Sequence, residues 1–106
     1  MKAVEITTSG VTLEGFSKRR GVEPDLLKVD VEGAELLVLR GAHELLLRKP
    51  VVILCEIHPL QMQNCRSSVR QLELFLAEVG YRLERLDEPG PQGIFHSRIT
   101  RQNIHQ

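Results

Sequence analysis

Between Lys49-Pro50 and His58-Pro59 lies the stretch Val51-Val52-Ile53-Leu54-Cys55-Glu56-Ile57, which opens with five consecutive apolar residues, the first three β-branched. β-Branched side chains are stiff about χ1 and crowd a helix, whereas they pack well on a pleated surface. The flanking prolines stop a helix from running through the stretch. The run is therefore a strand, and its continuous apolarity predicts cover on both faces, as in a parallel sheet. Parallel strands need long crossover connections, so the rest of the chain has to supply helices.

It does so in order. Ala3 to Thr8, with apolar Val4 and Ile6 alternating, reads as a short strand, and Ser9-Gly10 as a turn. Thr12 caps a short helix with Leu13 and Phe16 on one face, and Gly21 ends it. Leu26-Leu27-Lys28-Val29-Asp30-Val31 reads as a second buried strand, with an abrupt change of polarity at Asp30, Glu32 and Gly33. A helix follows from Ala34 to Leu39. Gly41 interrupts it, and a second runs from Ala42 to Arg48 until Lys49-Pro50 stops it. Leu60 to Arg66 reads as a polar loop. Ser68-Val69-Arg70-Gln71 has the capping-box pattern, and Val69, Leu72, Phe75, Leu76 and Val79 recur at helical spacing up to Gly80. Tyr81 to Leu86 alternates cleanly as a strand, and Ile94 to Ile99 is a last, weak one.

This alternation predicts the α/β class, with a mainly parallel sheet of four to five strands flanked by helices. A single domain is expected over residues 1–95, with a polar, disordered tail over 96–106. The chain of 106 residues has zero formal net charge, so no broad attraction to nucleic acid or to a membrane surface is expected. Cys55 and Cys65 make no disulfide framework. With no signal peptide and no apolar stretch near membrane-spanning length, a cytoplasmic setting is expected.

Ligands of open parallel sheets bind beyond the carboxyl ends of the strands. That rule selects Asp30, Glu32 and Glu35 after one strand, and Glu56 and His58 after the next. Consecutive parallel strands tend to be neighbours, so both groups should open on one edge of the sheet. Asp30 and Glu32 flank Val31, and on extended backbone they point to the same face. Two carboxylates so placed repel unless a metal, a proton, hydrogen-bond donors or a ligand resolves them. Glu35 reads simply as negative charge in the first turn of a helix. Gly33 permits a tight strand-to-helix turn.

Pro24-Asp25-Leu26-Leu27-Lys28-Val29-Asp30-Val31-Glu32-Gly33-Ala34-Glu35, then Leu39-Arg40-Gly41-Ala42, then Pro50 to His58, resembles the second half of FkbM-family methyltransferases. The resemblance extends over about residues 4 to 86 and includes Val11 to Phe16 and Gly80-Tyr81. It implies a partial Rossmann-like fold and S-adenosylmethionine as cofactor, with a methyl group moved to an oxygen of a small molecule or sugar. On it Asp30 lies beside methyl donor and acceptor, where it orients the acceptor hydroxyl or takes its proton. The resemblance has Glu32, Glu56 and His58 line the acceptor side or hold the loop, and Asp30 and Gly33 face the cofactor; no metal is assigned.

The family's glycine-rich loop and the acidic residue that follows it have no counterpart here, which implies a fragment inactive alone. The strand carrying Asp30 would then lack its usual neighbour and become an exposed edge, through which a homo-oligomer is expected. Two other functions compete. One is a metal site at Asp30, Glu32 and Glu56 with His58, suited to Mg²⁺ or Mn²⁺ and to hydrolysis. The other is a non-catalytic interaction module whose open edge completes a partner's sheet.

Overall fold

The computed structural model describes residues 1–7 and 23–102. The helix expected from Thr12 to Gly21 lies outside the described residues. Five strands form one sheet: β1 (Ala3–Ile6), β2 (Leu26–Val29), β3 (Val52–Ile57), β4 (Tyr81–Arg85) and β5 (Phe95–Arg101). Their order is β1-β2-β3-β5-β4. The first three are parallel, while β5 runs antiparallel to both β3 and β4. Between β2 and β3 come α1 (Glu35–Arg40) and α2 (His43–Arg48); between β3 and β4 come α3 (Pro59–Asn64) and α4 (Val69–Glu78). The architecture is mixed α/β, as the alternation predicts. Among the described residues, no helix is long and apolar enough to cross a membrane.

The core joins one face of the sheet to the helices. Leu27, Val29, Ile53, Cys55, Ile57, Phe95 and Ile99 pack with Leu36, Leu39, Leu45, Leu46, Leu72 and Leu76. Among the described residues no helix packs on the other face, where the apolar run predicts cover on both. Along β3 burial alternates, and Val52 and Leu54 are 39% and 37% exposed beside the fully buried Ile53. The described helices lie against the inward face, leaving the outward one to cross-strand pairs such as Lys28 with Glu5 and Arg98 with Glu84. Such exposed pairs favour the observed register more than they add stability.

Three further expectations are corrected. The strand carrying Asp30 is not an edge: β2 pairs with β1 on one side and β3 on the other, and β1 takes the outer position. Association by backbone pairing would therefore use an outer strand, β1 or β4. The polar loop over Leu60 to Arg66 is largely α3. Pro59 at its first turn pre-sets the helical φ, and the buried Met62 anchors it among polar neighbours. The tail expected from residue 96 is strand as far as Arg101. His96 and Arg98 face outward between the inward Phe95, Ser97 and Ile99, so half of β5 looks like tail. Arg101 is tied down, its guanidinium donating to the carbonyls of Leu46 and Leu47 at the end of α2.

Local signals elsewhere match the structure. The Ser68 hydroxyl accepts the N–H of Gln71 at the start of α4, and Gly80 turns the chain out of it with φ of +80°. Tyr81, buried at the start of β4, accepts the N–H of Val51 at 3.0 Å and donates to the Lys49 carbonyl at 3.1 Å. It holds the entry to β3. Tyr81→Phe strips both partners and is expected to cost about 1–3 kcal/mol. Urea unfolding should show a lowered midpoint with unchanged slope.

Candidate functional site

β2 and β3 end side by side, Val29 opposite Cys55, so the residues beyond them share one edge of the sheet. Asp30 follows β2 directly and donates its N–H to the Ile6 carbonyl, which keeps its side chain at the strand exit. The chain then turns sharply through Glu32 (φ +47°) and Gly33 (φ +112°) into α1. A Cβ on Gly33 would sit 2.7 Å from the backbone carbonyl carbon and oxygen of Gln61. Glycine is thus required twice over, for its left-handed φ and for the close approach of α3. With that side filled by α3, Gly33 serves the packing of α3 against the loop after β2.

Glu35 opens α1 and is 0% exposed. Its carboxylate accepts the backbone N–H of Gly33 and, at 2.9 Å, that of His58. One buried side chain therefore ties the loop after β2 to the loop after β3. The His58 ring packs among three carboxylates. Its Nε2 lies 3.2 Å from Glu56 Oε1 and 3.8 Å from Asp30 Oδ1, while Nδ1 lies 3.6 Å from Glu35 Oε1. Nδ1 is buried without a hydrogen-bond partner. Asp30, Glu56 and His58 each place one donor atom within 4.8 Å of the others, a spacing that one ion can bridge.

The cluster borders a cleft of about 390 Å³ on the outward face, lined by Glu5, Lys28, Asp30, Leu54, Glu56 and His96 among others. That volume falls within the usual span of small-molecule sites. His96 stands opposite Glu56 on β5, with Nε2 3.7 Å from Glu56 Oε2. Its Nδ1 is 2.8 Å from Asp87 Oδ2, and its backbone N–H donates to Asp87 Oδ1. The Asp87 hydrogen bond, reinforced by the charges of Asp87, Glu56 and Asp30, raises the His96 pKa above the ordinary imidazole value. The same bonds from His96 hold Asp87 below the usual carboxylate range. Cys55 lies beneath the cleft. Burial, with the charges of Glu35, Asp30 and Glu56, pushes its thiol far up, so it is no nucleophile at neutral pH.

Of the residues the strand-end rule selects, Asp30, Glu56 and His58 come together. Glu32 does not: β2 stops at Val29, so strand alternation no longer applies, and Glu32 turns outward to solvent. Glu35 is more than charge at a helix start. Its signal was available, because Leu39 one turn later marks its position as core-facing. His96 and Asp87 flank the β4–β5 connection, and nothing in their local sequence points to the site.

The family model of the methyltransferase FkbM domain matches residues 1–83. The chain belongs to the FkbM methyltransferase family. No curated protein and no solved structure matches it. The matched span holds Asp30, Glu35, Glu56 and His58 and ends within β4, short of Asp87 and His96. The family's chemistry, methyl transfer, calls for S-adenosylmethionine, and the described residues do not fit that cofactor unaided. Among the described residues, the exits of β2 and β3 run Asp30-Val31-Glu32-Gly33 and His58-Pro59, and neither is a glycine-rich turn that could cradle a nucleoside or a carboxylate. Lys28 lines the cleft together with the acids Glu5, Asp30 and Glu56.

Two predictions follow from this geometry. Glu35→Ala leaves the Gly33 and His58 N–H groups buried without acceptors and should lower unfolding free energy by about 2–5 kcal/mol, Glu35→Gln by less, in chemical denaturation. The Asp87–His96 pair should titrate as a unit. His96 is raised on folding, so its contribution to stability is full below its unfolded pKa and disappears as pH rises through the folded one. Asp87 is lowered, so its share is present above its unfolded pKa and disappears as pH falls through the folded one. An NMR titration should place the His96 midpoint above that of a model imidazole, and Asp87→Asn should bring it down.

Proposed function

We propose that this chain supplies the acceptor side of an S-adenosylmethionine-dependent methyltransferase acting on a hydroxyl oxygen of a small molecule or sugar. The convergence of Asp30, Glu56 and His58 at the carboxyl ends of β2 and β3, within the family-matched span, carries the reading. A hydroxyl must shed its proton as its oxygen is alkylated. Asp30, with a side chain 45% exposed, is open to accept a hydrogen bond from that hydroxyl and then its proton, with the His58 ring 3.8 Å behind it. Such orientation of the acceptor supplies much of the rate advantage in an in-line displacement.

Cofactor binding belongs, on this proposal, to residues outside the chain, and the chain alone is inactive. β1, the outer strand on the β2 side of the sheet, is where a further strand would pair next to the site, whether from a cofactor-binding half or from a second copy. The unpaired thiols of Cys55 and Cys65 suit a reducing, cytoplasmic setting.

Calorimetric titration of the chain with S-adenosylmethionine should give no saturable heat, and labelled methyl transfer to sugar or small-molecule hydroxyls should stay at the protein-free blank. Saturable binding with turnover would overturn the fragment reading. In that event Asp30→Asn should lower kcat by about 10²–10⁴-fold, and an unchanged kcat would sink the acceptor role.

A further inference from the structure

We propose that Asp30, Glu56 and His58 form a binding site for a divalent transition-metal ion, of which Mn²⁺ and Zn²⁺ are the natural probes. The geometry is that of a ligand set. Metal–oxygen and metal–nitrogen bonds of about 2.0–2.2 Å place neighbouring ligand atoms about 3–4 Å apart. His58 Nε2 lies 3.2 Å from Glu56 Oε1 and 3.8 Å from Asp30 Oδ1. All three donor atoms fall within 4.8 Å of one another.

A separate observation points to an ion here. His58 is 3% exposed, and its Nδ1 is buried with no hydrogen-bond partner, 3.6 Å from the fully buried Glu35. A buried polar atom left unpaired costs free energy, so its environment calls for an explanation. Metal-bound imidazoles characteristically direct their second nitrogen at a carboxylate, which fixes the tautomer and strengthens the ligand. An ion on Nε2 places the proton on Nδ1, facing Glu35, and a small rotation closes the hydrogen bond. The same ion relieves the repulsion between the neighbouring carboxylates of Asp30 and Glu56.

The surroundings fit the assignment. His96 repeats the pattern at the rim, its Nδ1 bonded to Asp87 and its Nε2 turned toward the second oxygen of Glu56. The side chains of Asp30 and Glu56 are 45% and 30% accessible from the cleft, so further coordination positions stay open to water or an acceptor oxygen. A buried imidazole donor favours first-row transition ions over Mg²⁺, which holds its waters and takes oxygen ligands.

Binding is read directly, without cofactor or turnover, so this proposal and the methyl-transfer reading can fail separately. The full chain, freed of metal with a chelator, is titrated with MnCl₂ while the electron paramagnetic resonance signal of free Mn²⁺ is followed. Calorimetry with ZnCl₂ and MgCl₂ runs in parallel. One Mn²⁺ per chain is expected, displaced by Zn²⁺, with Mg²⁺ at least about tenfold weaker. Asp30→Asn and Glu56→Gln, both at partly exposed positions, should each weaken Mn²⁺ binding by about tenfold or more. No binding of Mn²⁺ or Zn²⁺ up to about 1 mM overturns the proposal. So does affinity unchanged in both variants, or Mg²⁺ binding as tight as Mn²⁺.

Discussion

A carboxylate taken fully out of water is costly unless donors surround it, and Glu35 has them in the backbone N–H groups of Gly33 and His58. Those two groups belong to different loops, one leaving β2 and one leaving β3. Glu35 therefore does for this edge of the sheet what a ladder of backbone hydrogen bonds does farther in: it sets the spacing of two strand exits. Asp30, Glu56 and His58 lie in those exits, and their mutual distances follow from that spacing. Gly33 is part of the same device, since only a residue without a Cβ lets α3 approach closely enough to bring His58 into place.

The second constraint is that the described helices cover one face of the sheet. A strand as apolar as β3 would ordinarily be sandwiched, yet Val52 and Leu54 remain partly open to water. Their neighbours Glu5, Lys28, Glu84 and Arg98 give the face a polar border. The cleft is a product of this asymmetry: its floor is sheet, and its wall is Leu86 of the β4–β5 connection together with His96 near the start of β5. Membership in the FkbM methyltransferase family fits a site at this edge of the sheet.

Much of the candidate site was legible in the sequence because strand ends are local events. The apolar run of β3 stops at Glu56 and His58, that of β2 stops at Asp30, and a parallel crossover puts such ends together. Glu32 shows the limit of that reasoning, since β2 stops at Val29, two residues before the apolar run ends, and the side chain lies in solvent and not on the shared face. His96 shows another. It meets Glu56 only because β5 inserts antiparallel between β3 and β4.

The sequence by itself determined the alternation of strands and helices, the caps at Ser68 and Gly80, and the ionisable residues standing beyond the parallel strands. Those features depend on periodicity and on backbone preferences acting over a few residues. Tertiary structure alone decided which face of the sheet is buried, that β1 rather than β2 is the outer strand, and that Glu35 is a buried tie. Burial and pairing depend on neighbours distant in the chain, so each of these waited on how the whole sheet is ordered.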